Sequence, residues 1–314
     1  MDNTSCFVGI DVSKEKLDIA LLPSGECWTL NYDQKNLNEL VLRLGELSPL
    51  AIVLEATGGY ENLAMAVLGA AGLPLVRINP RQVRDFARST GQLAKTDRID
   101  ALILARFAQL LKPELRHLQD KDTLKLANLV TRRQQLQDMI AAEKSRQSTC
   151  SKPIYQQIAR HITWLQKALS RVDEDIDQAI KSNPIWRELD HLQRTIKGVG
   201  PVLSCTLLAL LPELGHLNRK EIAALVGVAP FCCDSGKRTG VRKIWGGRAP
   251  VRKALYMSIL SASQHNPKIQ PFYQRLLAAG KPKKVVQVAC MHKLLLIINA
   301  TVKEHLSLTL QTPR

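Results

Sequence analysis

Residues 6–22, CFVGIDVSKEKLDIALL, decide the fold. Two apolar, β-branched runs, CFVGIDV (6–12) and LDIALL (17–22), flank the polar Ser13–Lys16, which is the pattern of a β-hairpin. A third strand over Cys27–Asn31 extends it. Beyond these, Leu37, Leu40, Val41, Leu44 and Leu47 are spaced for an amphipathic helix over Asn36–Leu47, which Pro49 stops. LAIVLEAT (50–57) is a continuous apolar strand, and after Gly58-Gly59 come a helix over about 60–71 and a buried strand, LPLVRIN (73–79). Three antiparallel strands followed by alternating helix and strand predict a mixed sheet with helices on its faces, in the ribonuclease-H-like order.

The remaining chain predicts a different class. At 314 residues the sequence exceeds a prior of about 150 per domain, and three segments are expected: 1–112, 113–190 and 191–314. Ile158, Ile162, Leu165, Leu169, Val172 and Ile176 step by four and three, the seam of a coiled coil. A preceding helix through Leu126, Leu129, Leu136 and Ile140 pairs with it, with a break near Ser148–Pro153 and an end at Asn183–Pro184. Such a seam closes either within one chain or between subunits; a dimer that pairs into a tetramer on nucleic acid is the expected assembly. In HLQRTIKGVGPVLSCTLLALLPELG (191–215), Gly198 and Gly200 join two helical segments, with Pro201 first in the second. That turn suits a helix-hairpin-helix-like phosphate cradle, the alternative being an ordinary helical corner. A loop rich in glycine and arginine (232–253) and helices near 251–264, 268–279 and 283–304 follow, so the class is α/β plus all-α.

Hydrophobic residues make up 45% and charged residues 23% of the chain, values that exclude wholesale disorder and collagen-like architecture. The net charge of +16 is unevenly placed: residues 1–110 carry 11 basic and 13 acidic side chains, 111–190 carry 14 and 11, and 191–314 carry 19 and 4. A C-terminal excess of that size is what polyanion binding requires, so nucleic acid is the expected partner. The seven cysteines form no C-x-x-C pair and the histidines are scattered, so no zinc site is expected. MDNTSCFVGID lacks the regions of a signal peptide, and the apolar run Val202–Leu211 is too short to span a bilayer; a cytoplasmic protein without a membrane partner is expected.

Four acids stand out. Asp11 ends the first strand, Glu55 ends the central apolar strand, and Asp97 and Asp100 share one face of a helix by their i, i+3 spacing. Carboxylates at adjacent strand ends with a helix-borne pair suit a hard, oxygen-lined Mg²⁺ site that serves phosphodiester chemistry. Each has a plainer reading, Asp97 as a helix cap above all. In the basic loop Lys237, Arg238, Arg242, Lys243, Arg248, Arg252 and Lys253 surround Trp245, a set suited to phosphate contact and base stacking.

GIDVSK (9–14), LEATGGY (54–60), KTDRIDA (95–101), IKGVGP (196–201) and SGKR (235–238), in that order along essentially the whole chain, resemble the DEDD-type transposases of insertion-sequence family 110. The resemblance implies a RuvC-like domain joined to a C-terminal transposase domain, a recombinase activity on DNA, and a bridge RNA as guide. It also implies that Asp11, Glu55, Asp97 and Asp100 are the acidic tetrad and that Ser235 is the nucleophile. The acidic balance of residues 1–110 against the basic 191–314 predicts a composite site, with Ser235 delivered to the tetrad to form a covalent phosphoserine. Here Cys232-Cys233-Asp234 precede the serine in place of polar residues; Cys233 is a rival nucleophile on paper, but thiols attack phosphodiesters poorly. Two other functions compete: a structure-specific nuclease of Holliday-junction type that hydrolyses with metal-bound water, and a non-catalytic nucleic-acid-binding protein.

Overall fold

The computed structural model describes residues 5–92, 94, 96–114, 121–232, 234–236 and 240–311. The chain divides into two compact units, 1–119 and 120–314.

The first unit runs β1 (Phe7–Val12), β2 (Lys16–Leu22), β3 (Cys27–Asn31), α1 (Gln34–Leu47), β4 (Ala51–Glu55), α2 (Glu61–Ala70), β5 (Leu75–Ile78), α3 (Pro80–Ser89) and α4 (Asp97–Leu111). The sheet order is β3-β2-β1-β4-β5, with β2 antiparallel to both neighbours and the other pairings parallel, the ribonuclease-H-like order expected from the sequence. Strand alternation divides the side chains between two faces. Val8, Ile10, Val12, Ile52 and Leu54 pack with α1 and α2 in one core, and Phe7, Ala51, Val53, Val76 and Ile78 pack with α3 and α4 in another. Asp11 and Glu55 alternate onto the α4 side. Gly9 lets α4 approach: a Cβ there would lie 2.1 Å from the Ala101 carbonyl oxygen and 2.3 Å from the Ala105 nitrogen. Ala20, Ala101 and Ala105 are fully buried beside it, so small residues on strands and helix alike bring α4 down onto β1 and β2. Helix α3 is absent from the sequence expectations, although Asn79 caps it by accepting from the Arg81 N–H and Pro80 stands in its first turn.

The second unit is α5 (Lys121–Gln147), α6 (Lys152–Ser182), α7 (Pro184–Arg194), α8 (Pro201–Leu210), α9 (Arg219–Val226), β6 (Pro230–Phe231), β7 (Lys243–Ile244), α10 (Ala249–His265), α11 (Gln270–Ala278) and α12 (Lys283–Gln311). Helices α5 and α6 form an antiparallel hairpin. Arg133 pairs with Asp173 at 2.6 Å and, nearer the tip, Glu143 with His161 at 3.4 Å; Leu126 and Val130 share a cluster with Ile176 and Ile180. Of the predicted seam, Ile162, Leu165 and Ile176 are buried within the chain, and Ile158, Leu169 and Val172 are half-buried. The stripe therefore closes at least in part on its own chain. Truncating Leu165, 1% exposed, to alanine is expected to cost about 2–4 kcal/mol in urea unfolding. An unfolding midpoint equal to the parent's would refute that packing.

Among the described residues one helix, α12, is long and apolar enough to cross a membrane. Its Val286, Cys290, Leu294, Leu295 and Ile298 are fully buried in the core that α8, α9 and α10 line, so its apolar side is already covered by protein.

Candidate active site

The parallel register sets Gly9 beside Val53 and Ile10 beside Leu54, so one step further Asp11 and Glu55 stand level at the strand ends. Both side chains face the side that α4 covers, and α4 begins there. Thr96, rather than Asp97, caps it, its hydroxyl accepting from the Ile99 N–H at 3.3 Å. With the cap supplied by Thr96, the two aspartates of the first turn are left to project: Asp97 exposed, Asp100 half-buried.

Burial, then repulsion from Asp100, Glu55, Asp97 and Asp18 in that order, pushes the Asp11 carboxyl up to about 6 from an ordinary 3.8. The electrostatics thus register the other three predicted acids around Asp11. Among the described residues no three metal-ligating side chains converge on a common point at ligating distance, an approach that like charges resist and a divalent cation favours. An all-carboxylate set is the chemistry a hard cation takes, so the residues fit Mg²⁺.

A raised carboxyl pKa stabilises the fold only when the group is protonated, and that contribution is lost as pH rises through about 6. At neutral pH charged Asp11 therefore strains the unit, and Asp11→Asn is expected to relieve it by about 1–2 kcal/mol once solvent screening is allowed for. Thermal melting without divalent cation should show the variant more stable at pH 7.5, with the gain disappearing as pH falls toward 4. A variant less stable at pH 7.5 would contradict the repulsion.

Three supporting residues escaped the sequence reading. Asp18 pairs in register with Asp11, is 9% exposed, and accepts from the Thr29 hydroxyl at 2.5 Å. Buried Glu61 accepts from the Thr57 N–H at 3.1 Å and the Gly59 N–H at 2.9 Å, folding back the loop that leaves Glu55, while Arg77 approaches it at 3.6 Å. Gly58 and Gly59 both adopt positive φ there. The Tyr32 hydroxyl donates to the Tyr60 carbonyl and accepts from the Ala64 N–H, tying β3 to the start of α2. A period-two count gives the side on which Asp18 lies, but its proximity to Asp11 needs the hairpin register.

In the second unit, Ser235 is exposed on the segment between β6 and β7, and Asp234 Oδ1 accepts from the Gly240 N–H at 2.8 Å, closing the loop across the serine. Arg242, Lys243 and Trp245 are exposed on the same hairpin. Lys237, Arg238 and Cys233 lie outside the described residues. Three expected phosphate contacts are engaged by protein. Arg248 makes a bidentate pair with Glu213 at 2.5 Å and donates to the Leu210 carbonyl; Arg252 donates to the Gly246 and Val226 carbonyls; Lys253 reaches Asp138 at 2.8 Å. Arg248 and Arg252 anchor the loop to α8 and α9, a role their spacing alone does not reveal. Gly198, at φ +97, packs against α10, where a Cβ would lie 2.5 Å from that of Ala262, whereas Gly200 borders open space before α8.

Comparisons with known proteins identify a family for the chain. Residues 8–151 match a family model described as transposase, of the DEDD type of IS110, and residues 190–274 match one described as transposase of the IS116/IS110/IS902 family. The chain is 28% identical over 313 residues to a pilin gene-inverting protein of Moraxella bovis, covering 95% of this chain and 96% of that one. It is 27% identical, with the same coverage, to the pilin gene-inverting protein of Moraxella lacunata. Among solved structures, RuvC of Thermus thermophilus aligns with 37% of this chain and 84% of its own, at 17% identity and a TM-score of 0.22.

Proposed function

Because this chain belongs to the IS110 family of transposases, enzymes that cleave DNA and transfer its strands, we propose that it is a Mg²⁺-dependent recombinase that works through a serine-linked DNA intermediate and takes its targets from a bound RNA. The observation that carries the metal-dependent part is the environment of Asp11, whose charge is opposed by Glu55 from the neighbouring strand and by Asp97 and Asp100 from α4. Asp11, Glu55, Asp97 and Asp100 would hold the ion. Bound there, it supplies Lewis acidity toward the phosphoryl oxygens of the substrate.

The chain's own groups do the rest. The Ser235 hydroxyl attacks phosphorus, its Oγ–P bond forming as the bond to one sugar oxygen breaks; the proton lost by the serine is balanced by the one the departing oxygen gains. Phosphoserine keeps the ester energy for rejoining. Asp234 holds the serine loop closed through Gly240, and Arg242 and Lys243 lie ready to contact the flanking phosphates. The names of the Moraxella relatives, gene-inverting proteins, support cutting and rejoining over simple hydrolysis. The strong positive charge of residues 191–314 supports binding to both DNA and RNA.

Sequencing the nucleic acid that copurifies with the protein identifies guide and target together. On a DNA so identified, strand cleavage should require Mg²⁺ and stop in EDTA, and Mg²⁺ should raise the melting temperature of the parent but not of Asp11→Asn. Cleavage persisting in EDTA, or an absence of copurifying RNA, overturns the corresponding part of the reading.

A further inference from the structure

We infer that the outer face of α3 is a docking surface for the backbone of the DNA strand presented to the acidic edge. Val83, Phe86 and Ala87 bury the inner side of this helix in the core, with Phe86 edge-on to Phe107 of α4 at 5.3 Å. At 100° per residue, Arg81, Arg84 and Arg88 lie within about 60° of one another and opposite that buried side. All three are exposed. Asp85, at the margin of the same face, approaches Arg88 only at 3.9 Å, with both side chains about two-thirds exposed, so the pair is weak and the arginine stays open to solvent.

The placement gives the face its purpose. Helix α3 starts two residues after Ile78, and Ile78 is the register partner of Glu55, so its first turn stands at the strand ends that carry the carboxylates. The aromatic contact fixes α3 to α4, the helix that bears Asp97 and Asp100. From Arg81 to Arg88 the helix rises about 10 Å, the axial length of about three phosphates along one strand. Four acids would repel a polyanion from this unit, whose residues 1–110 are net negative. Arginines fixed beside them offset that repulsion and hold the strand by its phosphates. The occupant is DNA because the strand at this edge is the one to be cut. This inference rests on the proposed cleavage function for its choice of strand, but its test reads binding alone.

The test uses the full chain and the double variant Arg84→Gln/Arg88→Gln, with binding followed by fluorescence anisotropy in EDTA, where no cleavage enters. The probes are a labelled DNA strand, its duplex, and RNA of the same sequence, titrated between about 50 and 200 mM salt. The expected result is a loss of about tenfold in DNA affinity and a fall of about 1.5 in the slope of log K against log salt, with an unchanged melting temperature. Lys35→Gln/Arg43→Gln, on α1 across the sheet, serves as the charge-matched control and is expected to keep the parent slope. An unchanged DNA slope in the α3 variant, an equal fall in the control, or a loss confined to the RNA probe overturns the inference. If the carboxylate variants still cleave DNA while the α3 variant loses its slope, the proposed function fails and the docking surface stands.

Discussion

Gly9→Ala is expected to lower the melting temperature of the protein by about 10 °C and to abolish strand cleavage. The added methyl would meet backbone atoms of α4, the Ala101 carbonyl oxygen and the Ala105 nitrogen, which cannot turn away as a flexible side chain can. Overpacking against backbone costs about 3 kcal/mol, and in a unit of this size each kcal/mol moves the transition by several degrees. The functional loss follows from geometry. Pushing α4 off the sheet separates Asp97 and Asp100 from Asp11 and Glu55, and carboxylates spread apart no longer share one cation. Gly45→Ala in α1, where the new methyl meets nothing within 4 Å, is the internal comparison; it should be neutral or stabilising by about 0.5–1 kcal/mol. Differential scanning calorimetry of both variants beside a cleavage assay checks the pair. A Gly9→Ala protein with parental stability and activity would contradict the close approach of helix and strand.

Glu55→Gln and Asp100→Asn are expected to reduce cleavage at least about a thousandfold, equivalent to about 4 kcal/mol of transition-state stabilisation, while leaving DNA affinity close to the parent's. Each swap keeps shape and removes charge. DNA retention follows because the positive charge that binds phosphate lies elsewhere, mostly in residues 191–314. Single-turnover cleavage measured beside equilibrium binding separates the two quantities. A fall in binding with unchanged cleavage would make the acids structural and favour the reading as a nucleic-acid-binding protein.

Much of the first unit was legible in the sequence because its signals are local. Period-two and continuous apolar runs gave all five strands to within a residue or two, and interruption of those runs by Asp11 and Glu55 marked the acids. What stayed hidden depends on register and packing. Asp18 comes beside Asp11 only when the hairpin pairs in register, and the burial of Glu61 depends on a loop that folds back onto it. Helix α3, ten residues with one buried side chain, offered too short an apolar stripe to stand out, though Asn79-Pro80 is a start signal. In the basic loop, composition made every cation look like a phosphate ligand. Only the partners of Arg248 and Arg252 distinguish an anchor from a contact, because a carboxylate or carbonyl thirty residues away leaves no mark on local spacing. The seam of α6 was legible as a stripe, but what covers it depends on α5.

The most direct test of the serine-linked reaction is to trap the protein on labelled target DNA, digest it with protease, and read the modified residue by mass spectrometry. The expected result is a nucleotide esterified to Ser235 and, in Ser235→Ala, loss of adduct and cleaved strand together while DNA binding persists. Undiminished cleavage by Ser235→Ala, with no nucleotide on any residue, would contradict it and leave a metal-dependent nuclease that hydrolyses DNA directly.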